Sequence, residues 1–135
     1  MSFTEIAYTD DMGMTVDWVQ WTFFGWMGVV FAVVFANLGA AYGTAKASIG
    51  IGSIAVTKPE LVYKSLVPVV MAGILGIYGL IVSVVLISKV TMANSNPYTM
   101  FKVMTSGICV GFSCVAAGYA IGVVGDAGVR SNAMN

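Results

Sequence analysis

The chain has 135 residues, of which 59% are hydrophobic and only 9% are charged, against about 25% charged residues in an average soluble domain. This composition excludes an ordinary water-soluble protein and requires lipid as part of the solvent. Six acidic and six basic residues give a formal net charge of zero, so nothing indicates nucleic-acid binding by bulk electrostatic attraction.

Residues 1–17 form an acidic N-terminal tail. They contain Glu5, Asp10, Asp11 and Asp17 but no Lys or Arg, unlike the basic start of a cleavable signal peptide. We therefore predict that the apolar segment after them is retained as a membrane span.

Three uncharged apolar runs follow, at 18–45, 65–88 and 103–125. Each is long enough to cross a hydrocarbon core of about 30 Å as a helix. Three segments of this length cannot close a β-barrel, so their backbone polar groups must be paired within helices. We predict an all-α membrane protein with helices near 18–45, 61–88 and 98–125, within a transmembrane domain of 18–130 that is followed by a short cytosolic linker, 131–135.

The linkers contain helix-start signals. In the first, Thr57 is a candidate N-cap, Pro59 suits the first turn, and Glu60 can complete a capping box. In the second, Asn96 is a candidate cap before Pro97. The second and third helices are predicted to begin near Lys58 and Pro97.

Basic residues predict the orientation. Lys46, Lys58 and Lys64 in the first linker and Arg130 near the C-terminus outnumber the two lysines of the second linker. By the positive-inside rule the first linker and the C-terminus are cytosolic and the N-terminus is luminal. Four aromatic residues fit interfacial anchors on the luminal side: Trp18, Trp21, Trp26 and Tyr98.

The first and third spans resemble each other. When the third span is laid on the first, Gly107 falls on Gly28, Gly118 on Gly39 and Gly122 on Gly43, all with the same offset. Such a repeat predicts a duplicated helical hairpin. Glycines three or four residues apart allow close packing of membrane helices, in an ordinary bundle or in a tightly packed ring. The predicted packing positions are Gly39, Gly43, Gly73, Gly76, Gly79, Gly107, Gly111, Gly118 and Gly122.

The chain contains no recognisable catalytic, metal or cofactor site. It has no His, and its Gly-rich stretches lack the lysine and hydroxyl residue of a phosphate-binding loop. Cys109 and Cys114 lie about 140° apart on one helix and cannot bridge within the chain, so we interpret them as buried structural thiols. Asp126 and Arg130 have the spacing of a helix-surface ion pair. Tyr78 places a hydroxyl at mid-depth, where it needs a partner.

Three segments together resemble the proteolipid c subunit of eukaryotic V-type ATPases: residues 38–46 (LGAAYGTAK), 67–84 (VPVVMAGILGIYGLIVSV) and 116–130 (AAGYAIGVVGDAGVR). The resemblance is strong over about 38–130. It implies a four-helix subunit of a rotor ring, with other c-type subunits, stator subunit a and central-stalk subunit d as partners, in acidic endomembranes such as the vacuole, lysosome, endosome or Golgi. Gly73 favours the c isoform over c-double-prime, which has its carboxylate in the helix matching the second span.

In this family a glutamate of the fourth helix carries the proton, and the resemblance implies that Tyr78 hydrogen-bonds to it. The match ends in the linker before that helix, so the sequence predicts a proton-carrying residue beyond Asn135. We favour a fourth helix that follows Asn135; the alternative is a natural three-helix scaffold variant. A non-pumping structural or pore-forming membrane oligomer is the rival function. An F-type c subunit is disfavoured because its resemblance would end after two helices.

Overall fold

The computed structural model describes residues 8–9, 15–16, 18–92 and 96–134, with side chains described for 21–91 and 96–134. The rest of the acidic tail, the side chain of Trp18 and residues 93–95 lie outside the described part. Two-residue strands, β1 (Tyr8–Thr9) and β2 (Thr15–Val16), form an antiparallel pair. The other regular elements of the described chain are helical, which confirms the all-α prediction.

Three helices dominate the fold: α1 (Trp18–Ala55), α3 (Val67–Met92) and α4 (Pro97–Met134). Each overlaps a helical segment long and apolar enough to cross a membrane, at Trp21–Ala55, Pro59–Thr91 and Pro97–Met134 respectively. A 3-10 turn (Pro59–Leu61) and the short helix α2 (Val62–Ser65) join α1 to α3.

The helix α1 runs ten residues beyond its predicted end near residue 45. Ala47 and Ile54 in this extension are buried, at 0% and 3% exposure, so packing holds a segment that the sequence presents as a linker. The helix ends where the backbone N–H groups of Thr57 and Lys58 both donate to the carbonyl of Ile54. With 38 residues, α1 is about 57 Å long and extends well past the hydrocarbon core.

The predicted capping box at the start of the second span is wrong. The residue at the N-cap of the 3-10 turn is Lys58, which makes no side-chain cap hydrogen bond. The hydroxyl of Thr57 instead donates back to the carbonyl of Ile54 at 3.1 Å, so it closes the preceding helix. The long part of the span begins only at Val67, next to Pro68, which has no N–H to continue the ladder of α2.

The helix α4 begins at Pro97, as predicted, and continues to Met134. Residues 131–134, predicted as a linker, are therefore helical. Buried Val129 extends the packed face of α4 beyond the predicted end at residue 125, and the Asp126–Arg130 ion pair lies in the same stretch.

The core lies where the three helices meet. One buried cluster lies at the N-terminal ends of α1 and α4 and the C-terminal end of α3: Val29, Ala32, Leu86, Val90, Met100 and Val103, with Trp21, Val82 and Ile87 packed against it. Many large apolar side chains on the outer faces are exposed, as expected of surfaces that meet lipid or other membrane helices.

Candidate functional site

Glycines of α1 and α4 bring these two helices into direct backbone contact along a line that we call the glycine seam: Gly28, Gly39, Gly43, Gly107, Gly118 and Gly122. A side chain on Gly107 would collide with the carbonyl oxygen of Gly28, and one on Gly118 with that of Gly39. An ideal Cβ on Gly43 would lie 2.9 Å from the carbonyl oxygen of Gly118. At these points the two backbones approach directly.

The glycines that meet across the seam are the same pairs that the internal repeat aligns. Gly28 meets Gly107 and Gly39 meets Gly118, the same pairs that the alignment of the two spans produces. Because contacts advance together along the two helices, α1 and α4 are parallel. Helix α1, not α3, packs on the seam glycines of α4, the contact expected if the first and third spans are equivalent copies.

Helix α3 packs on a different side of α1, also through small residues. A Cβ on Gly79 would meet the Cβ of Ala36 and lie 3.0 Å from the carbonyl oxygen of Ala32. A Cβ on Gly76 would lie 2.9 Å from Oδ1 of Asn37. The contact positions fall on α1 as they rise on α3, so the pair is antiparallel, as in a helical hairpin.

The remaining predicted packing positions are Gly111 and Gly73. Gly111 lies against Phe31 and Phe35 of α1, and a Cβ there would be 2.9 Å from the carbonyl oxygen of Phe31. A Cβ on Gly73 would have no neighbour within 4 Å, so Gly73 does not pack the helices of this chain together, contrary to its predicted role. Its spacing from Gly76 is right for packing, but it lies on a part of α3 that faces neither α1 nor α4.

Four close-packed glycine positions are missing from the predicted set: Gly25, Gly28, Gly50 and Gly125. The sequence signal for Gly28 is its match to Gly107 in the repeat. Gly50 has no partner glycine in the repeat; a Cβ there would lie 2.7 Å from Oδ1 of Asp126 and 3.2 Å from its Cα. Gly125 leaves room for Pro68, because a Cβ on Gly125 would lie 2.9 Å from the Cβ of Pro68.

Tyr78 lies on the outside of the bundle. It is two residues from Gly76, about 200° around α3, and so points away from α1. Its side chain is 58% exposed, and its hydroxyl makes no hydrogen bond within the part of the chain that the structure describes. The hydroxyl is therefore available to a group outside these three spans.

Ionisable groups stay near the ends of the spans. The predicted pair is present: Nε of Arg130 donates to Oδ1 of Asp126 at 2.8 Å. Both side chains are partly exposed, so the pair contributes at most a few tenths of a kcal/mol. The three uncharged runs of the sequence contain no acidic residue, and the described residues contain no group of three metal-ligating side chains.

The two cysteines differ from each other. Cys114 is buried and Cys109 is exposed, and both are free thiols. The interpretation as buried structural thiols therefore holds for Cys114 only. Cys109 is two residues from Gly107, which faces α1, and so lies on the opposite side of α4.

An apolar groove of about 640 Å³ separates the start of α3 from the C-terminal half of α4. Pro68 and Met71 line one wall, Val124 and Gly128 the other, and Lys64 also contributes to the lining. Its lining comes from α2, α3 and α4, so the groove belongs to the packing of the second span on the third.

Comparison with known proteins shows which family has this sequence pattern. A family model for the C subunit of ATP synthase matches residues 27–86. The c subunit, or 16 kDa proteolipid, of the V-type proton ATPase of Ascaris suum is 54% identical over 114 residues, which cover 82% of this chain and 70% of that protein. The chain belongs to the V-type ATPase proteolipid family. The resemblance noted from its three motifs is thereby confirmed.

Other relatives of this proteolipid carry related names. The 16 kDa proteolipid, the c subunit, of the V-type proton ATPase of Nephrops norvegicus is 54% identical over 112 residues, with 82% of this chain and 70% of that protein covered. The c' subunit of the V-type proton ATPase of Saccharomyces cerevisiae is 52% identical over 111 residues, with 80% and 66% covered. The proteolipid is thus similar to both c and c' subunits, to nearly the same degree.

Proposed function

We propose that this proteolipid is a subunit of the rotor ring in the membrane sector of a V-type ATPase, which carries protons while partner subunits hydrolyse ATP. The observation that carries the proposal is its 54% identity, over 82% of its length, to the c proteolipid of a V-type proton ATPase. The sequence is consistent with ATP hydrolysis in partner subunits, since it has no His and no nucleophile paired with a base for hydrolysis.

The glycine seam supports a mechanical role. A subunit that turns past a stator must transmit force without separating its own helices. In lipid, helices associate through close van der Waals contact, because the apolar surroundings give no hydrophobic drive. Backbone contact at Gly39 and Gly118 leaves little freedom for the pair to slide or splay.

In this proposal the proton is carried by a carboxyl group outside the three described spans, and Tyr78 hydrogen-bonds to it. Two observations support this proposal. The three uncharged runs of the sequence contain no acidic residue, and the Tyr78 hydroxyl is exposed and has no partner among the described residues. An acid in hydrocarbon is costly to ionise, so it remains protonated until the stator offers water or a positive partner.

The proposed partners are other c-type subunits, the stator subunit and the central-stalk subunit, in the membranes of acidic organelles with the N-terminus in the lumen. The orientation rests on the lysines of the first linker. The rival function is a structural or pore-forming oligomer, which would assemble through the same glycines without needing a stator or a stalk.

The test is replacement in living cells. The chain, with an affinity tag, is expressed in cells depleted of their own c proteolipid, and membranes are assayed for copurification of the stator and central-stalk subunits and for ATP-dependent acidification of vesicles. We expect copurification of both subunits and incorporation into rings, with ATP-dependent acidification only when the chain is extended through an acid-bearing fourth helix. Stable oligomers that conduct ions but retain neither of these subunits would favour the pore-forming alternative and overturn the proposal.

A further inference from the structure

Stacked aromatic rings run along one side of the contact between α1 and α4. Each stack has one ring from either helix, and we call the set the aromatic ladder: Phe24 with Phe101, Phe35 with Phe112, and Tyr42 with Tyr119. The ring centroids in these pairs are 5.1–5.4 Å apart, and the ring planes are within 26° of parallel. Along α1 the rings recur after 11 and then 7 residues, intervals that return a helix to within about 20° of the same side. The rings therefore form one continuous strip.

The aromatic ladder lies on the side of the α1–α4 pair that is turned away from α3. Tyr42 is two residues beyond Ala40, which lies beside Gly76 of α3, and is therefore about 200° around α1 from that contact. Tyr119 is likewise two residues before Ile121, which lines the groove between α3 and α4. The ring of Tyr119 is 59% exposed. The outer edge of the strip is thus open to the surroundings of the bundle.

A lysine lies at one end of the aromatic ladder. Lys46 follows Tyr42 by four residues, about one turn or roughly 6 Å along the same side of α1. It is exposed and makes no ion pair within the described residues. One turn beyond Gly122 on α4, Asp126 already pairs with Arg130. Of these three ionisable side chains two are positive and one is negative, so one positive charge is left unbalanced.

The distance from this charge to the middle of the aromatic ladder matches one leaflet. Lys46 is eleven residues beyond Phe35, roughly 16 Å along the axis, and one leaflet supplies about half of a hydrocarbon core of about 30 Å. An acyl chain that starts at the level of the lysine therefore spans two of the stacked pairs. Stacked rings offer its methylene groups a flat surface for dispersion contacts along their whole length.

We infer that this face binds one anionic phospholipid, with the phosphate on Lys46 and an acyl chain along the aromatic ladder. Charge complementarity selects the occupant. The unbalanced positive charge favours a headgroup of net negative charge over phosphatidylcholine, whose own cation already balances its phosphate. The site goes beyond the proposed rotor function and does not depend on it, because both helices that form the site belong to one copy of the chain.

The test is lipid retention by the purified chain, measured by native mass spectrometry. The chain is released from micelles that contain equal amounts of phosphatidylserine and phosphatidylcholine with identical acyl chains, and the bound lipids are counted. We expect phosphatidylserine to be retained preferentially. Lys46→Gln should reduce this preference roughly fivefold, the factor that one lysine contributes near an anionic membrane surface. Lys46→Arg, which keeps the charge, should preserve it.

The matched control is Lys58→Gln. Lys58 is also exposed and unpaired within the described residues, but it lies in the linker beyond the end of α1, so the preference should not change. The position of the acyl chain is mapped by photo-crosslinking with a phosphatidylserine whose chain carries a diazirine, which inserts into neighbouring bonds after loss of nitrogen. We expect adducts within 35–42 and 112–119, and fewer of them in Lys46→Gln.

Three results would each overturn the inference. The first is equal retention of the two lipids by the unmodified chain, and the second is the same preference in Lys46→Gln as in Lys58→Gln. The third is a lack of adducts within 35–42 and 112–119, which would show that the lipid lies elsewhere or that another copy of the chain covers the aromatic ladder. All three leave the proposed function intact, because its own test is copurification of the stator and central-stalk subunits.

Discussion

At the scale of single residues, glycines in similar sequence surroundings have different structural roles. Gly43 and Gly52 both lie in α1, but a Cβ on Gly43 would be 2.9 Å from a carbonyl oxygen of α4, whereas one on Gly52 would have no neighbour within 4 Å. The spacing of small residues suggests which glycines can pack. Only the arrangement of the helices determines which of them do.

This difference gives a paired prediction. Gly43→Leu should destabilise the chain by about 1–3 kcal/mol or more, because overpacking against backbone cannot be relieved by a rotamer change. Gly52→Leu should leave stability unchanged within about 0.5 kcal/mol. Thermal unfolding of both variants in the same detergent, together with blue-native gels of the assembled ring, measures the effect. Equal behaviour of the two variants would show that close approach at Gly43 is unimportant.

Tyr78 gives a second residue-scale prediction. Tyr78→Phe removes only a hydroxyl that has no partner among the described residues, so the melting temperature and ring assembly should not change. Proton transport should fall if that hydroxyl holds the proton-carrying carboxyl. The comparison is made on a chain extended through an acid-bearing fourth helix, by ATP-dependent acidification normalised to the amount of assembled ring. Tyr42→Phe is the control because Tyr42 stacks on Tyr119 within the chain. Unaltered transport in Tyr78→Phe would remove this residue from the proton site.

At the scale of helices, the sequence predicts the spans well and their ends poorly. An uncharged apolar run in lipid must be helical, because only a helix pairs the backbone within one segment. The ends depend on tertiary contacts that no local signal contains. Helix α1 continues past Lys46 because Ala47 and Ile54 are buried, and Thr57 closes α1 although its sequence context predicts that it opens the next helix.

The pairing of helices is more predictable than their ends. The internal repeat anticipates both the partner of α1 and the register of the contact, because duplicated helices place equivalent glycines at equal depth. Asn37 has no comparable signal: a single amide in an apolar run has no periodicity to detect, and its position beside Gly76 follows only from the packing of α3 on α1.

At the scale of the whole molecule, the three spans form a scaffold whose apolar interior contains no acidic residue. This leads to a chemical prediction. A carboxyl-directed carbodiimide reacts with acids held protonated in hydrocarbon, where ionisation costs about 3 kcal/mol or more. The 135-residue chain should therefore not be labelled at mid-depth, whereas a chain that continues through an acid-bearing fourth helix should be labelled there.

Gly73 supplies the matched positive control within this chain. It lies among apolar residues of α3, and a Cβ there would have no neighbour within 4 Å, so Gly73→Glu adds a mid-depth acid without disturbing the glycine seam. We expect the carbodiimide to label Gly73→Glu and to spare the unmodified chain, with peptide mapping by mass spectrometry to locate the adduct. An adduct mapped to the apolar interior of the unmodified spans would place the proton site within these helices, contrary to the proposal. Labelling confined to Glu60 or Asp126 would not do so, because both lie near the ends of the spans and Asp126 already pairs with Arg130.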